Sequence, residues 1–235
     1  MSNLAPHIDT ALDVKALDKL KTYLEKTYKA QGGIVTSDRN ELTLHLPKKS
    51  LPAVMQTLRD DAQTRFTQLM DLTAVDWLGK NKLEERFHVV YHLLSLEHNL
   101  RLRVILTTGY SASGKAQKPD TTLADPVPSL QSLFPAATWY EREVFDMFGI
   151  PFTDAQDLRR ILTDYGFQGH PLRKDFPVFG YEEVFFNEAT SQVEYKAVDM
   201  PQETRFFNAT SPWEGVNNPT PLADEDNTFP NKALK

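Results

Sequence analysis

Along residues 11–30 apolar side chains recur at Leu12, Val14, Leu17, Leu20 and Leu24, with charged residues between them. This spacing places the apolar positions on one stripe of a helix and the charges opposite. Gly32-Gly33 predicts its end. The period then shortens to two. Ile34–Thr36 and Leu42–Leu46 read as strands around a turn at Ser37–Asn40, a hairpin closed off by Pro47. Ser50 opens a second helix, about Leu51 to Ala62, with Pro52 in its first turn. Three longer strand-like runs follow, about Phe66–Asp76, Glu85–Glu97 and Leu100–Thr107, and His98-Asn99 joins the last two as a two-residue hairpin loop. In the last run Leu100, Leu102, Val104 and Leu106 share one face, with Arg101, Arg103 and Ile105 on the other. Residues 1–108 therefore predict an α+β domain, with two helices on one face of a mostly antiparallel sheet.

Residues 109–126 are polar and contain Gly, Ser and Pro, which predicts a loop or linker. A helical pattern returns within 127–176, over Leu130–Phe134, Thr138–Phe148 and Leu158–Tyr165. Beyond Phe176 no period is sustained. Residues 177–235 carry recurring prolines, acids and scattered aromatics, including Phe185, Phe186, Tyr195 and Trp213. Disordered tails are poor in aromatics, so this segment reads as an extended, partner-wrapping tail whose rings fill pockets on a neighbour.

Composition narrows the function. In 235 residues, 40% hydrophobic and 25% charged, there is enough material for one fair-sized core or two small ones. No apolar run approaches the roughly 20 residues of a membrane span, and the N-terminal stretch lacks the pattern of a signal or transit peptide. A cytoplasmic bacterial protein without a membrane span of its own is the expectation. The chain has no cysteine, which excludes disulfides, Cys-ligated zinc, Cys-ligated iron–sulfur clusters and a thiol nucleophile. The net charge of −6 lies entirely in residues 177–235, with ten acids against four bases. Such a chain does not suit nucleic acid, which needs a basic face, and suits a basic groove on another protein better.

Residues 139–176 concentrate the charged candidates. Trp139, Val144, Met147 and Phe148 suit the apolar side of a helix that Gly149 and Pro151 terminate. Thr153 or Asp154 suits the cap of the next, since Thr153 and Gln156 have capping-box spacing. Glu141 and Glu143 point to different sides of a helix and do not converge for acid–base or metal chemistry. Arg142, Arg159 and Arg160 lie near enough to neutralise the acids, so a structural ion network is expected. His170 stands without a Ser–His–Asp or Cys–His arrangement. His88 and His92 fall in a strand-like run with no third metal ligand evident.

Glu141 to Phe152 (EREVFDMFGIPF), Asp157 to Phe167 (DLRRILTDYGF) and Gly169 to Pro177 (GHPLRKDFP) together resemble the C subunit of bacterial respiratory complex I, as do Arg205-Phe206-Phe207 and Ser211 to Gly215 (SPWEG). Ala155 departs from the resemblance, standing where that family usually has His or Lys. The resemblance implies a non-catalytic assembly subunit of the peripheral arm of a proton-translocating NADH:quinone oxidoreductase, on the cytoplasmic side of the inner membrane. It implies docking on the hydrogenase-large-subunit-like D subunit and on adjacent cluster-carrying subunits, with FMN and iron–sulfur clusters on other chains and no cofactor on this one. Glu141, Arg142, Glu143, Asp146, Arg159, Arg160, Arg173, Lys174 and Trp213 are the expected interface or structural-network residues. Two alternatives are the equivalent subunit of a membrane-bound hydrogenase or a ferredoxin- or F420-type dehydrogenase, and a free-standing metal-dependent hydrolase.

Overall fold

A computed structural model describes residues 14–80, 82–110, 123–178 and 180–199. The chain divides into two units, 1–178 and 179–235. In the first, α1 (Val14–Tyr28) runs into a short 3₁₀ turn (Lys29–Gln31), and the chain reverses at Gly32 with φ +80°. β1 (Ile34–Asp38) and β2 (Glu41–Leu46) form the expected hairpin. Its two turn residues, Arg39 and Asn40, both have positive φ, the mirror-image turn that matches strand twist. Then come α2 (Leu51–Asp60), β3 (Gln68–Asp76), β4 (Phe87–Ser95) and β5 (Leu100–Thr108). The sheet order is β1-β2-β5-β4-β3, antiparallel except for the parallel β2–β5 pair. The chain is thus α+β with a mostly antiparallel five-stranded sheet, as the hydrophobic pattern predicts.

The inner face of the sheet is apolar along every central strand. Leu44, Val104, Tyr91 and Leu72 form one cross-strand row, and Leu46, Leu106, Val89 and Ala74 the next. They share one core with Leu17, Leu20, Leu24 and Tyr28 of α1 and Leu51, Val54, Met55 and Leu58 of α2. Each fully buried Leu adds roughly 1.5–3 kcal/mol. On the opposite face Thr43, Arg103, His92 and Asp71 line up across four strands, which places His92 among polar neighbours.

Beyond β5 the chain forms β6 (Val127–Pro128), α3 (Ala137–Phe148) and β7 (Phe152–Thr153), with β6 and β7 paired in parallel. Ala137, Val144, Met147 and Phe148 of α3 join the same core. Several local expectations fail here. Leu130–Phe134 is a turn, not a helix. Leu158–Tyr165 is not helical either, because its backbone groups bond to side chains of α3 instead of to each other. The capping box at Thr153 has no helix to cap. Thr153 is in β7, and Asp154 has φ +64°. Trp139 is 60% exposed rather than on the buried side, and the β4–β5 loop has four residues, Leu96 to Asn99, rather than two. Ala155 packs half-buried against the core.

In the second unit β8 (Glu182–Asn187) and β9 (Gln192–Ala197) form an antiparallel hairpin within the stretch expected to be aperiodic. Trp213 and the remaining tail lie outside the described residues.

Candidate functional site

The site is built on the C-terminal end of α3. A helix leaves its last four carbonyls without intrahelical donors, and here each finds one. Phe145 O accepts from Gly149 N at 2.9 Å, and Met147 O from Leu172 N at 3.1 Å. Asp146 O accepts from His170 Nδ1 at 2.9 Å, so that nitrogen carries the proton. Phe148 O accepts from Arg173 Nε at 2.6 Å. The turn requires glycine at 149. Its φ is +69°, and a Cβ there would sit 2.2 Å from Arg173 Nη2 and 2.5 Å from His170 Nε2. His170, solitary in sequence, is therefore a helix-end donor. Burial lowers its pKa, against the Asp146 carbonyl, and Arg173 and Arg160 lower it further.

Asp146 is the hub. Its side chain is fully buried. Oδ2 accepts three successive backbone N–H groups, from Ile161 at 3.0 Å, Leu162 at 2.7 Å and Thr163 at 3.0 Å. Oδ1 accepts from Arg160 Nε at 2.6 Å and Thr163 Oγ1 at 2.7 Å. Burial alone would raise this carboxyl; the hydrogen bonds from Arg160, Thr163 and Leu162 outweigh it and hold it well below the usual carboxylate range. Arg160 continues outward to Phe167 O at 2.8 Å and Gly169 O at 2.6 Å. One turn earlier on α3, Arg142 donates to Arg159 O at 2.8 Å and Arg160 O at 3.3 Å, and lies over the Trp139 ring. Two side chains of one helix thus hold the loop 158–169 from inside.

Glu141 does the same for the preceding turn. It accepts from Leu130 N at 2.7 Å, Ser129 Oγ at 2.8 Å and Gln131 Nε2 at 3.1 Å. The expected arginine neutralisation of Glu141 is not seen; its partners are neutral. Burial raises its carboxyl above the usual range, against those hydrogen bonds. A carboxyl with a raised folded value contributes most stability below its unfolded value, about 4.3, and loses that contribution as pH rises through the folded value. Glu141→Gln is expected to remove this component, flattening the fall of the unfolding midpoint with pH above about pH 4 relative to the parent protein. An unchanged pH slope would show that Glu141 does not titrate in that window.

Below Gly149 the chain returns to the sheet through a second cluster. Lys174 contributes its backbone N–H, 2.8 Å from Asp76 Oδ2. Asp76 and Asp175 both grip Arg86: Nε to Asp76 Oδ1 is 2.8 Å, Nη2 to Asp76 Oδ2 2.6 Å and Nη2 to Asp175 Oδ1 2.7 Å. Arg86 and Arg173 both lie over the Phe87 ring. Burial lowers the Arg173 pKa; for Arg86 the two carboxylates outweigh burial and raise it.

Of the residues selected from sequence, Asp146, Arg160 and Arg173 converge at the C-terminal end of α3; Arg142 holds the same loop from one turn earlier, and Glu141 holds the 129–131 turn instead. Glu143 is on the exposed side of the helix, and Arg159 is exposed and pairs with Asp157 at 2.8 Å. Asp76, Arg86, Ser129, Gln131, Thr163, His170 and Asp175 were not selected. Only Thr163, within the Asp157–Phe167 motif, and His170 and Asp175, within the Gly169–Pro177 motif, carried a signal. Among the described residues no cluster of His, Cys, Asp and Glu suits a metal ion, and no helix is long and apolar enough to cross a membrane.

What this arrangement offers chemically is rigidity with a displayed surface. All the converging acids accept hydrogen bonds, while the loop they hold exposes Leu162 (62%), Tyr165 (fully) and, just beyond, Leu172 (52%). Residues 44–182 match the family model of the respiratory-chain NADH dehydrogenase 30 Kd subunit. The chain is 43% identical to the C subunit of NADH-quinone oxidoreductase from Methylobacterium sp. (strain 4-46), over 91% of this chain and 92% of that one. It is 48% identical to the same subunit of Paramagnetospirillum magneticum, over 74% and 80%. Among solved structures, a chain of an archaeal membrane-bound sulfane sulfur reductase, a respiratory membrane complex, aligns with TM-score 0.53 and 26% identity, over 70% of this chain and 86% of that one.

Proposed function

Since the chain belongs to the family of the 30 Kd subunit of respiratory-chain NADH dehydrogenase, we propose that it is a non-catalytic assembly subunit of the peripheral arm of a proton-translocating NADH:quinone oxidoreductase. In this reading it docks on the hydrogenase-large-subunit-like D subunit, on the cytoplasmic side of the inner membrane. FMN and the iron–sulfur clusters belong to other subunits, in keeping with a chain that has no cysteine. The observation that carries the reading is the loop 158–169. Its backbone is fixed by Asp146, Arg160 and Arg142, yet its apolar side chains Leu162 and Tyr165 face outward. Holding large side chains rigid in solvent is what a preorganised interface requires.

The test is a native gel of detergent-solubilised membranes, stained for NADH oxidation and probed for this chain. Co-migration with a large NADH-active band is expected. Leu162→Asp with Tyr165→Asp should lower the assembled fraction about tenfold or more, while the purified variant stays folded, since both side chains lie outside the core. An assembled fraction equal to that of the parent would remove the loop from the interface. The likeness to the sulfane sulfur reductase chain favours one second reading, the equivalent subunit of a related respiratory membrane complex. Co-migration with a band that reduces quinone from another donor, and not from NADH, would select it.

A further inference from the structure

The β8–β9 hairpin has two unlike faces. Its register pairs Val184 with Tyr195 and Phe186 with Val193, so these four side chains stand on one face. The other face satisfies itself. Lys196 and Glu183 form an ion pair at 2.6 Å, Lys196 lies over the Phe185 ring, and Glu194 accepts from Asn187 at 3.0 Å and Thr190 at 2.9 Å. The first face has the composition of a core and the exposure of a surface: Val184 is 46%, Phe186 61%, Val193 58% and Tyr195 56% exposed. A two-stranded ribbon is marginal in water unless its apolar face is covered, and a contiguous apolar face on an otherwise polar element marks an interaction surface.

Charge identifies what covers it. Residues 180–199 carry five acids (Glu182, Glu183, Glu188, Glu194 and Asp199) against one base, Lys196, which Glu183 already engages. A second copy of this chain would set acidic rim against acidic rim, and an anionic lipid surface would be repelled for the same reason. We propose that the Val184, Phe186, Val193 and Tyr195 face seats on an apolar strip bordered by Lys and Arg on another protein subunit of the same respiratory complex. The hairpin then forms a second anchor, in addition to the loop 158–169. This rests on the assembly reading above.

The experiment uses the intact complex, purified from membranes, with a photo-reactive benzophenone amino acid in place of Phe186 and, as control, in place of Glu188 at the hairpin turn. The expected result is a crosslink from position 186 to one identified subunit, within an apolar peptide flanked by Lys or Arg, and at least about tenfold less product from position 188. In parallel, Phe186→Thr with Val193→Thr keeps strand propensity and should release the chain from the complex at lower salt. Crosslinks from 186 only to its own chain, to a second copy or to lipid, or no product at all, would overturn the hairpin proposal while the chain still co-migrates with the NADH-active band. A chain that never enters that band defeats the assembly reading, and the hairpin proposal with it.

Discussion

Asp146→Ala is expected to lower the unfolding free energy of the purified chain by about 3–5 kcal/mol, a large part of the 5–15 kcal/mol that domains possess. The carboxylate is the common acceptor for five donors: three successive backbone N–H groups, Arg160 Nε and Thr163 Oγ1. Alanine leaves all of them unpaired next to a core, and leaves the Arg160 guanidinium without its counter-charge. The pH dependence provides a second readout. Because the folded carboxyl lies below its unfolded value of about 3.9, its contribution is present above about pH 4 and is lost as pH falls through the folded value. Parent and variant curves should therefore separate at neutral pH and converge in acid. Arg160→Ala should weaken the same loop by removing the donors to Phe167 O and Gly169 O. In cells it should lower the amount of assembled complex without altering the redox properties of what remains. A neutral-pH difference for Asp146→Ala below about 1 kcal/mol would show that the loop does not depend on this carboxylate.

Arg86→Ala is expected to cost a similar amount, about 3–5 kcal/mol in urea unfolding. Arg86 is 2% exposed in its side chain, between Asp76 at 0% and Asp175 at 18%. Removing it strands two carboxylates where water reaches poorly. Arg86→Lys keeps the charge but cannot fork to both acids, so it should fall between alanine and the parent. Amide exchange at Lys174 gives a local test, since that N–H bonds Asp76 Oδ2 and should lose protection in both variants. Retained protection in Arg86→Ala would mean that Asp76 keeps its position without the arginine, and that the 173–175 segment is anchored mainly through Arg173 and the end of α3.

The two sets of interactions make α3 the connector of the first unit. Glu141 reaches back to 129–131, Arg142 and Asp146 reach forward to 159–163, and the helix-end carbonyls hold His170, Leu172 and Arg173. Lys174 and Asp175 then tie to Asp76 and Arg86 at the sheet. Charged side chains here do the positioning that apolar contacts do in the sheet and helices of 14–108, while Leu162, Tyr165 and Leu172 of the segment they hold stay exposed.

Periodicity made the fold class and most elements of 14–108 legible, because α1, α2 and the strands each bury one face and that burial imposes a repeat on the residues. Leu100, Leu102, Val104 and Leu106 are the plain case: all four are buried as their alternation requires. The same reasoning misread Leu158–Tyr165 as a helix, since its backbone hydrogen bonds go to side chains on another element and leave no periodic trace. It passed over the β8–β9 hairpin, whose alternation is short and has no covering core of its own. The family was readable from Glu141–Phe152, Asp157–Phe167 and Gly169–Pro177 as residue strings, without knowing what each side chain touches. Tertiary structure alone decided that Asp146, and not Glu143, is the hub, that His170 and Arg173 close the end of α3, and that Asp76, Arg86 and Asp175 belong together. Helix and strand repeats are set by neighbours three or four, or two, residues apart. The Arg86–Asp175 contact spans 89 residues, and only the folded chain brings those charges within reach.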